Sequence, residues 1–342
     1  MMAYFRVLLP CVLAKHSNVA NTPPRGWTSH SAFGSLVDQQ KLTSVIAALQ
    51  LKRTSGQSLQ SLGYGRLVLD DWYASNAPSP PAVQPGAFHD AGGNPLVDIM
   101  RLPDLARWVG AAQAANFNVS FSVNACEPGL NDVQAALDLA GDVKLTTQRF
   151  DGVSVAPCGP NQNMSAWGEA LGGGGGLLPD SGPPLLLSYA RPAIGDVDAR
   201  LRYPFWSTTG DPSTPLLGGW VAGAVLQCPA HMWYYNGQGS ISDWASAIEA
   251  ISNVTSATPR VLGSSATGDS HPMSTEECWA SPGDLPFGAM ASMEEERSVF
   301  GLWVITSAPL LLSFDVTGER VYLLINHSCM TEFSNNLMLV LF

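Results

Sequence analysis

Lysine is nearly absent from this sequence: four in 342 residues, with lysine and arginine together numbering 17 against 28 aspartates and glutamates. Phosphate backbones are bound by clustered cations, and a chain of net charge −11 with no basic run excludes a nucleic-acid partner. Charge of either sign is sparse, at 13% of residues, while 46% are apolar and ten are tryptophan, which is the composition of a globular chain rather than a disordered one. The six cysteines, Cys11, Cys126, Cys158, Cys228, Cys278 and Cys329, lack the paired short spacings of a zinc site. His30, His89, His231 and His271 occur without His-X-Glu or HExxH spacing, so neither a metal nor a cofactor is expected. No serine nucleophile elbow is present. Gly172 to Gly176 are followed by no Gly-Lys-Ser/Thr, and read as a loop rather than a phosphate cradle.

The leader AYFRVLLPCVLA (Ala3 to Ala14) is apolar over too short a distance to span a bilayer. With Arg6 in it and small residues around Ala20, residues 1–20 read as a secretory signal; the other reading is the N-terminal strand of a cytosolic protein. Asn-X-Ser/Thr sequons at Asn118, Asn163, Asn253 and Asn326 fit a secreted, endomembrane or vacuolar location, although Asn118 falls in an expected buried strand.

Short β-rich runs alternate with helical patterns along most of the chain. The strands expected are Arg66–Asp70, Asn118–Val123, Gly152–Ala156, Leu185–Tyr189 and Pro309–Phe314, each mostly apolar as in strands covered on both faces. Helical spacing of apolar positions marks Leu102–Asn116, Val133–Gly141, Ile241–Ile251 and Glu294–Ser307. The alternation persists to about residue 315 and predicts an α/β fold, a single (β/α)8 TIM barrel with its chemistry at the carboxyl ends of the strands. There Asp70-Asp71-Trp72 follows the Arg66 strand. The acidic pair either caps the next helix or accepts hydrogen bonds from sugar hydroxyls while an aromatic face packs on the pyranose.

Three stretches carry a family resemblance. TPPRGWTSHSAFGS (Thr22 to Ser35) resembles TPPMGWNSWNAFGC, the first strand and following loop of glycoside hydrolase family 27, the α-galactosidases and α-N-acetylgalactosaminidases. LGYGRLVLDDWYA (Leu62 to Ala74) resembles that family's LGYKYVNLDDCWA, and MEEERSVFGLWVITSAPLLLSFDV (Met293 to Val316) its TEEYRSHFSLWALMKAPLLIGNDV. The resemblance implies a barrel over residues 21–316 that removes terminal α-galactosyl groups with retention. It also implies a C-terminal β domain, of which residues 317–342 are a remnant. Asp70, Asp71 and Trp27 would bind the galactoside. Retention needs two carboxylates about 5 Å apart, one attacking the anomeric carbon and one serving as acid and then base.

Both carboxylates are hard to find. When the family's VDYLKYDNC is laid on Phe150 to Cys158 with the cysteine in register, the nucleophilic Asp falls on Ala156. A rival register makes Asp151 the nucleophile, but puts it before the β run rather than after it. In the first register Cys126 and Cys158 are implied as a disulfide pair. The acid/base motif WRTTGDI matches Trp206 to Asp211, making Asp211 the candidate; spacing favours a later segment, His231 to Trp244, which puts Ser240 there. WNDPDMLEVG corresponds to Trp279–Gly288 with Ser281 and Gly283 at its acidic positions, and His30 stands for the second tryptophan of the first motif. The expectation is an α-galactosidase-like hydrolase, weak or inactive through Ala156. The alternatives are a non-catalytic secreted galactoside-binding relative and a truncated gene product.

Overall fold

The structure, a computed structural model, describes residues 22–52, 56–70, 72, 88–124, 132–156, 186–192, 232–236, 241–261, 274, 279–285 and 287–318. Eight parallel strands form one sheet: β1 (Arg25–Thr28), β2 (Arg66–Leu69), β3 (Asn118–Asn124), β4 (Gly152–Ala156), β5 (Leu186–Pro192), β6 (Met232–Asn236), β7 (Trp279–Ser281) and β8 (Leu310–Leu312). The order is β7-β6-β5-β4-β3-β2-β1-β8, so each strand neighbours its predecessor except β8, which pairs with β1. Just past β7, Leu285 forms a parallel bridge with Leu312 of β8, its N–H donating to the Leu311 carbonyl at 2.7 Å. The segment that follows β7 thus reaches β8.

The five strands expected from apolar runs are all present. β1 lies inside the first motif of the family resemblance, whereas β6 (MWYYN) and β7 (WAS) lack the run of aliphatic residues that marks the other strands. Gly26 is required in β1: a Cβ there would collide with the carbonyl of Arg66, its partner across the β1–β2 register. On one face of the sheet Leu67, Leu69, Val119, Phe121, Val153 and Leu310 are nearly inaccessible to water, while the other face buries Val68 and Leu311 beside the polar Arg66, Ser120 and Ser154.

The helices are α1 (His30–Phe33), α2 (Gln39–Gln50), α3 (Leu105–Ala114), α4 (Asp132–Arg149), α5 (Trp244–Val261) and α6 (Met293–Ile305). Three of them start on caps legible in the sequence. Asp38 accepts the Lys41 N–H at 2.8 Å, Asp104 that of Arg107 at 3.0 Å, and Ser292 that of Glu295 at 3.2 Å, each relieving an orphan donor of a first turn. α6 adds Glu294, Glu295 and Glu296 at the positive end of its dipole and buries Val299, Phe300, Trp303 and Val304. α2 was not expected, although Leu42, Val45, Ile46 and Leu49 follow helical spacing and pack on the core.

α4 runs well beyond the expected end at Gly141. That glycine does not stop the helix; it admits the backbone of Gly93, whose carbonyl would strike any Cβ placed there, and Gly93 in turn lies against the Leu137 carbonyl. The same docking buries His89 between two carboxylates of α4. Its Nε2 is 3.0 Å from Asp142 Oδ1 and its Nδ1 is 3.7 Å from Asp138 Oδ2, and all three side chains are less than a tenth exposed. Asn118, expected to be buried, is the exposed first residue of β3.

Candidate functional site

Because the strands are parallel and in register, the residues that follow them gather at one end of the sheet, the end at which parallel α/β folds carry their chemistry. Ser29 and His30 follow β1, Asp70 follows β2, Asp284 lies just beyond β7, and Ser313 follows β8. β3 ends in Asn124 and β4 in Ala156, paired with each other in the register.

Asp70 is held by its neighbour strand. Ser29 Oγ accepts the Asp70 N–H at 2.7 Å, and Asp70 Oδ2 lies 3.4 Å from His30 Nδ1, with the two side chains 30% and 55% exposed. Both groups therefore face the mouth rather than the core. On the other side, Ser313 Oγ accepts the Ser31 N–H at 2.8 Å and hydrogen-bonds the Asp284 carboxyl, so the turn that carries His30 is tied to Asp284 through one hydroxyl. Burial pushes the Asp284 carboxyl up to about 6; the charge of His30 and the Ser313 hydrogen bond pull it down, and the charge of Asp70 pushes it up. Asp284 follows Gly283, whose φ of +135° is a backbone conformation that side-chain-bearing residues rarely adopt. Ser281, at the end of β7, is buried and accepts the Gly283 N–H.

Several expected site residues sit elsewhere. Asp151 precedes β4 and belongs to the opposite, amino end of the strands. Its Oδ2 accepts the Val119 N–H at 2.8 Å and the Gln113 amide at 3.0 Å, and its charge supports buried Arg66, whose guanidinium burial lowers to about 10. Arg66 donates in turn to Ser120 Oγ at 3.0 Å. Trp27 is 1% exposed, with its indole N–H on the Phe314 carbonyl at 2.9 Å and its ring against Phe33. Trp72, after the Asp pair, is likewise buried, donating to the Ser122 carbonyl and standing edge-on to Phe121. Asp71, Asp211, Ser240, Cys126 and Cys158 lie outside the described residues.

Asp284 is the site residue that sequence reasoning passed over. In the register that matches Trp279–Gly288 to WNDPDMLEVG it replaces the methionine, and attention to the lost acidic positions hid the gain of a carboxylate one residue later. Among the described residues no group of three His, Cys, Asp or Glu side chains is placed to hold a metal ion, and no helix is long and apolar enough to cross a membrane.

No family model matches the chain, and no curated protein matches it. Solved structures do. A candidate α-galactosidase of Bacteroides fragilis aligns with a TM-score of 0.60 at 16% identity, over 92% of this chain and 60% of its own. α-Galactosidase I of Mortierella vinacea aligns at 0.59 and 16%, over 93% and 73%. A GH27 β-L-arabinopyranosidase of Geobacillus stearothermophilus aligns at 0.61 and 14%, over 92% and 77%. The chain thus spans less than two thirds of the Bacteroides protein. At such identity the likeness is one of backbone, and it establishes that this chain has the fold of these glycosidases.

Proposed function

We propose that this chain is an α-galactosidase-like glycoside hydrolase on a closed (β/α)8 barrel, recognising a terminal α-galactosyl group at its mouth but lacking the covalent route of the family it resembles. The observation that carries the reading is the pairing of Asn124 with Ala156 at the carboxyl ends of β3 and β4. A methyl group stands at the end of the fourth strand, and a methyl group forms no glycosyl ester. The alternative nucleophile, Asp151, is engaged by the backbone of β3 at the other end of that strand, which favours the register with Ala156. Met232–Asn236 is the sixth strand, and an acid/base following it falls near Ser240 rather than at Asp211, which precedes it in the chain. The register also supports a Cys126–Cys158 disulfide, each cysteine lying two residues beyond the Asn124–Ala156 pair.

Sugar recognition rests on Asp70, which projects toward solvent at the mouth, and on Asp71 beside it in the sequence. Loss of a covalent nucleophile costs on the order of 10⁶ in turnover where it acts as part of a unit, and tighter substrate binding does not restore the chemical step. A second reading, a galactoside-binding protein without turnover, is favoured by the same alanine. Thermal unfolding in the presence of galactose tests recognition. The melting temperature of the unaltered chain should rise and that of Asp70→Asn should not; no rise in the unaltered chain would overturn the proposal. Release of p-nitrophenol from its α-galactoside separates hydrolase from binder.

A further inference from the structure

We propose that Asn118 carries an N-linked glycan, attached before β3 closes between β2 and β4. The site is independent of the chemistry at the mouth. Asn118-Val119-Ser120 is a complete Asn-X-Ser sequon without proline, and Asn118 is the first residue of β3. Phe117 and Val119 on either side of it are buried and fix the backbone, while Asn118 itself is exposed. Its backbone N–H donates to the Gly65 carbonyl at 2.9 Å, and among the described residues no hydrogen bond engages its side-chain amide. It lies at the amino end of the strands, opposite Ser29, Asp70 and Ser313, so a glycan there leaves the mouth clear. Of the other sequons, Asn163 and Asn326 lie outside the described residues, and Asn253 is half-buried within α5.

The third residue of the sequon sets the order of events. Transfer to an asparagine amide requires that the transferase also read the hydroxyl two residues on, and in the folded chain that hydroxyl is out of reach. Ser120 is 3% exposed, and its Oγ accepts from Nη1 of buried Arg66 at 3.0 Å. Its backbone stands opposite Val68 of β2 on one side and Gly152 of β4 on the other. The folded chain therefore presents the amide without the hydroxyl. The emerging chain presents both, because β3 has no partner on its β4 side until Gly152–Ala156 has followed it out. The reading of residues 1–20 as a secretory signal supplies the compartment in which this interval is used.

The donor is an oligosaccharide carried on a lipid diphosphate. One N–H bond of the Asn118 amide breaks, its nitrogen bonds to C1 of the sugar, and the C1–O bond breaks with its electron pair on the departing diphosphate. The proton lost from nitrogen passes to solvent, and nothing is oxidised or reduced.

The test expresses the full chain, with its own N-terminus, in a eukaryotic host. Peptide N-glycosidase in heavy-oxygen water converts each glycosylated asparagine to a mass-labelled aspartate, and mass spectrometry of the peptides reads every sequon separately. Asn118 should carry the label. Asn118→Gln and Ser120→Ala should each lose it together with one glycan's step in electrophoretic mobility, and Ser120→Thr should keep it; all three are read on the whole of the chain made, folded or not. An unlabelled Asn118 overturns the inference. Labels at other sequons would then mean that the site is passed over, and labels at none that the chain does not reach the transferase. A second arm tests the order by cell-free translation of the full chain, with microsomes present during synthesis or with detergent-opened microsomes added once the chain has folded. Asn118 should be modified in the first case alone, and equal modification in both would overturn attachment before closure of β3.

Discussion

His30 Nδ1 lies 3.4 Å from Asp70 Oδ2, joining the ends of the first two strands by a contact that is largely open to solvent. Exposed pairs of this kind contribute about 0–1 kcal/mol. Asp70→Asn should therefore change stability by no more than about 1 kcal/mol while abolishing any galactose-dependent rise in melting temperature. Urea denaturation with and without galactose measures both quantities, and a variant that keeps its response to the sugar would remove Asp70 from the site.

Asp284 makes a pH prediction whose sign is fixed. Its carboxyl titrates near 6 in the folded chain and near 3.8 when unfolded, so between about pH 4 and pH 6 the folded state holds a proton that the unfolded state has lost. Stability from this group is present below pH 4 and declines as pH rises to 6, by about 2–3 kcal/mol. Asp284→Asn should lack that decline. The difference between the two denaturation series, taken from pH 4 to pH 7, isolates the group; parallel curves would mean that the carboxyl is not perturbed.

Removing His89 should be among the most damaging single changes. His89→Ala leaves Asp138 and Asp142 buried without the ring that separates them, and uncovering one partner of a buried charged cluster costs about 3–5 kcal/mol. A shift in the urea midpoint worth less than about 1 kcal/mol would show that solvent reaches these carboxylates.

Two helix glycines should respond oppositely to alanine. At Gly141 a Cβ meets the Gly93 backbone, so Gly141→Ala should destabilise by about 1–3 kcal/mol or more. At Gly301 in α6 nothing lies within 4 Å, and Gly301→Ala should stabilise by about 0.5–1 kcal/mol through helix propensity alone. Thermal unfolding of the two variants side by side decides the matter, and a loss of stability in Gly301→Ala would mean that a neighbour packs on that position.

Much of the scaffold was legible in the residues. Alternating strands such as Asn118–Asn124 and the capped helices after Asp104 and Ser292 announce themselves, because their burial pattern or their cap is local. Gly141 misled for the opposite reason: a glycine inside a helix reads as a stop unless the chain that packs against it is known. The burial of Trp27 was not legible either, since an aromatic near a strand end suits both a sugar platform and a core position. Asp284 was hidden by its place in a motif where attention goes to the residues on either side. What joins it to His30 is Ser313, from a strand 282 residues away in sequence from the Ser31 that it accepts.

That separation governs when the mouth can form. β1 is complete by Thr28, yet it pairs with β8, and the indole of Trp27 waits for the carbonyl of Phe314, 287 residues later. Contacts of such high order close slowly, since the chain must lose its loop entropy before they repay it. On the ribosome the first strand emerges with its neighbour on one side unmade for nearly the whole of synthesis, exposing a hydrogen-bonding edge to other nascent chains. The end of β1 at the mouth is thus among the first parts of the chain to be translated and the last to be assembled.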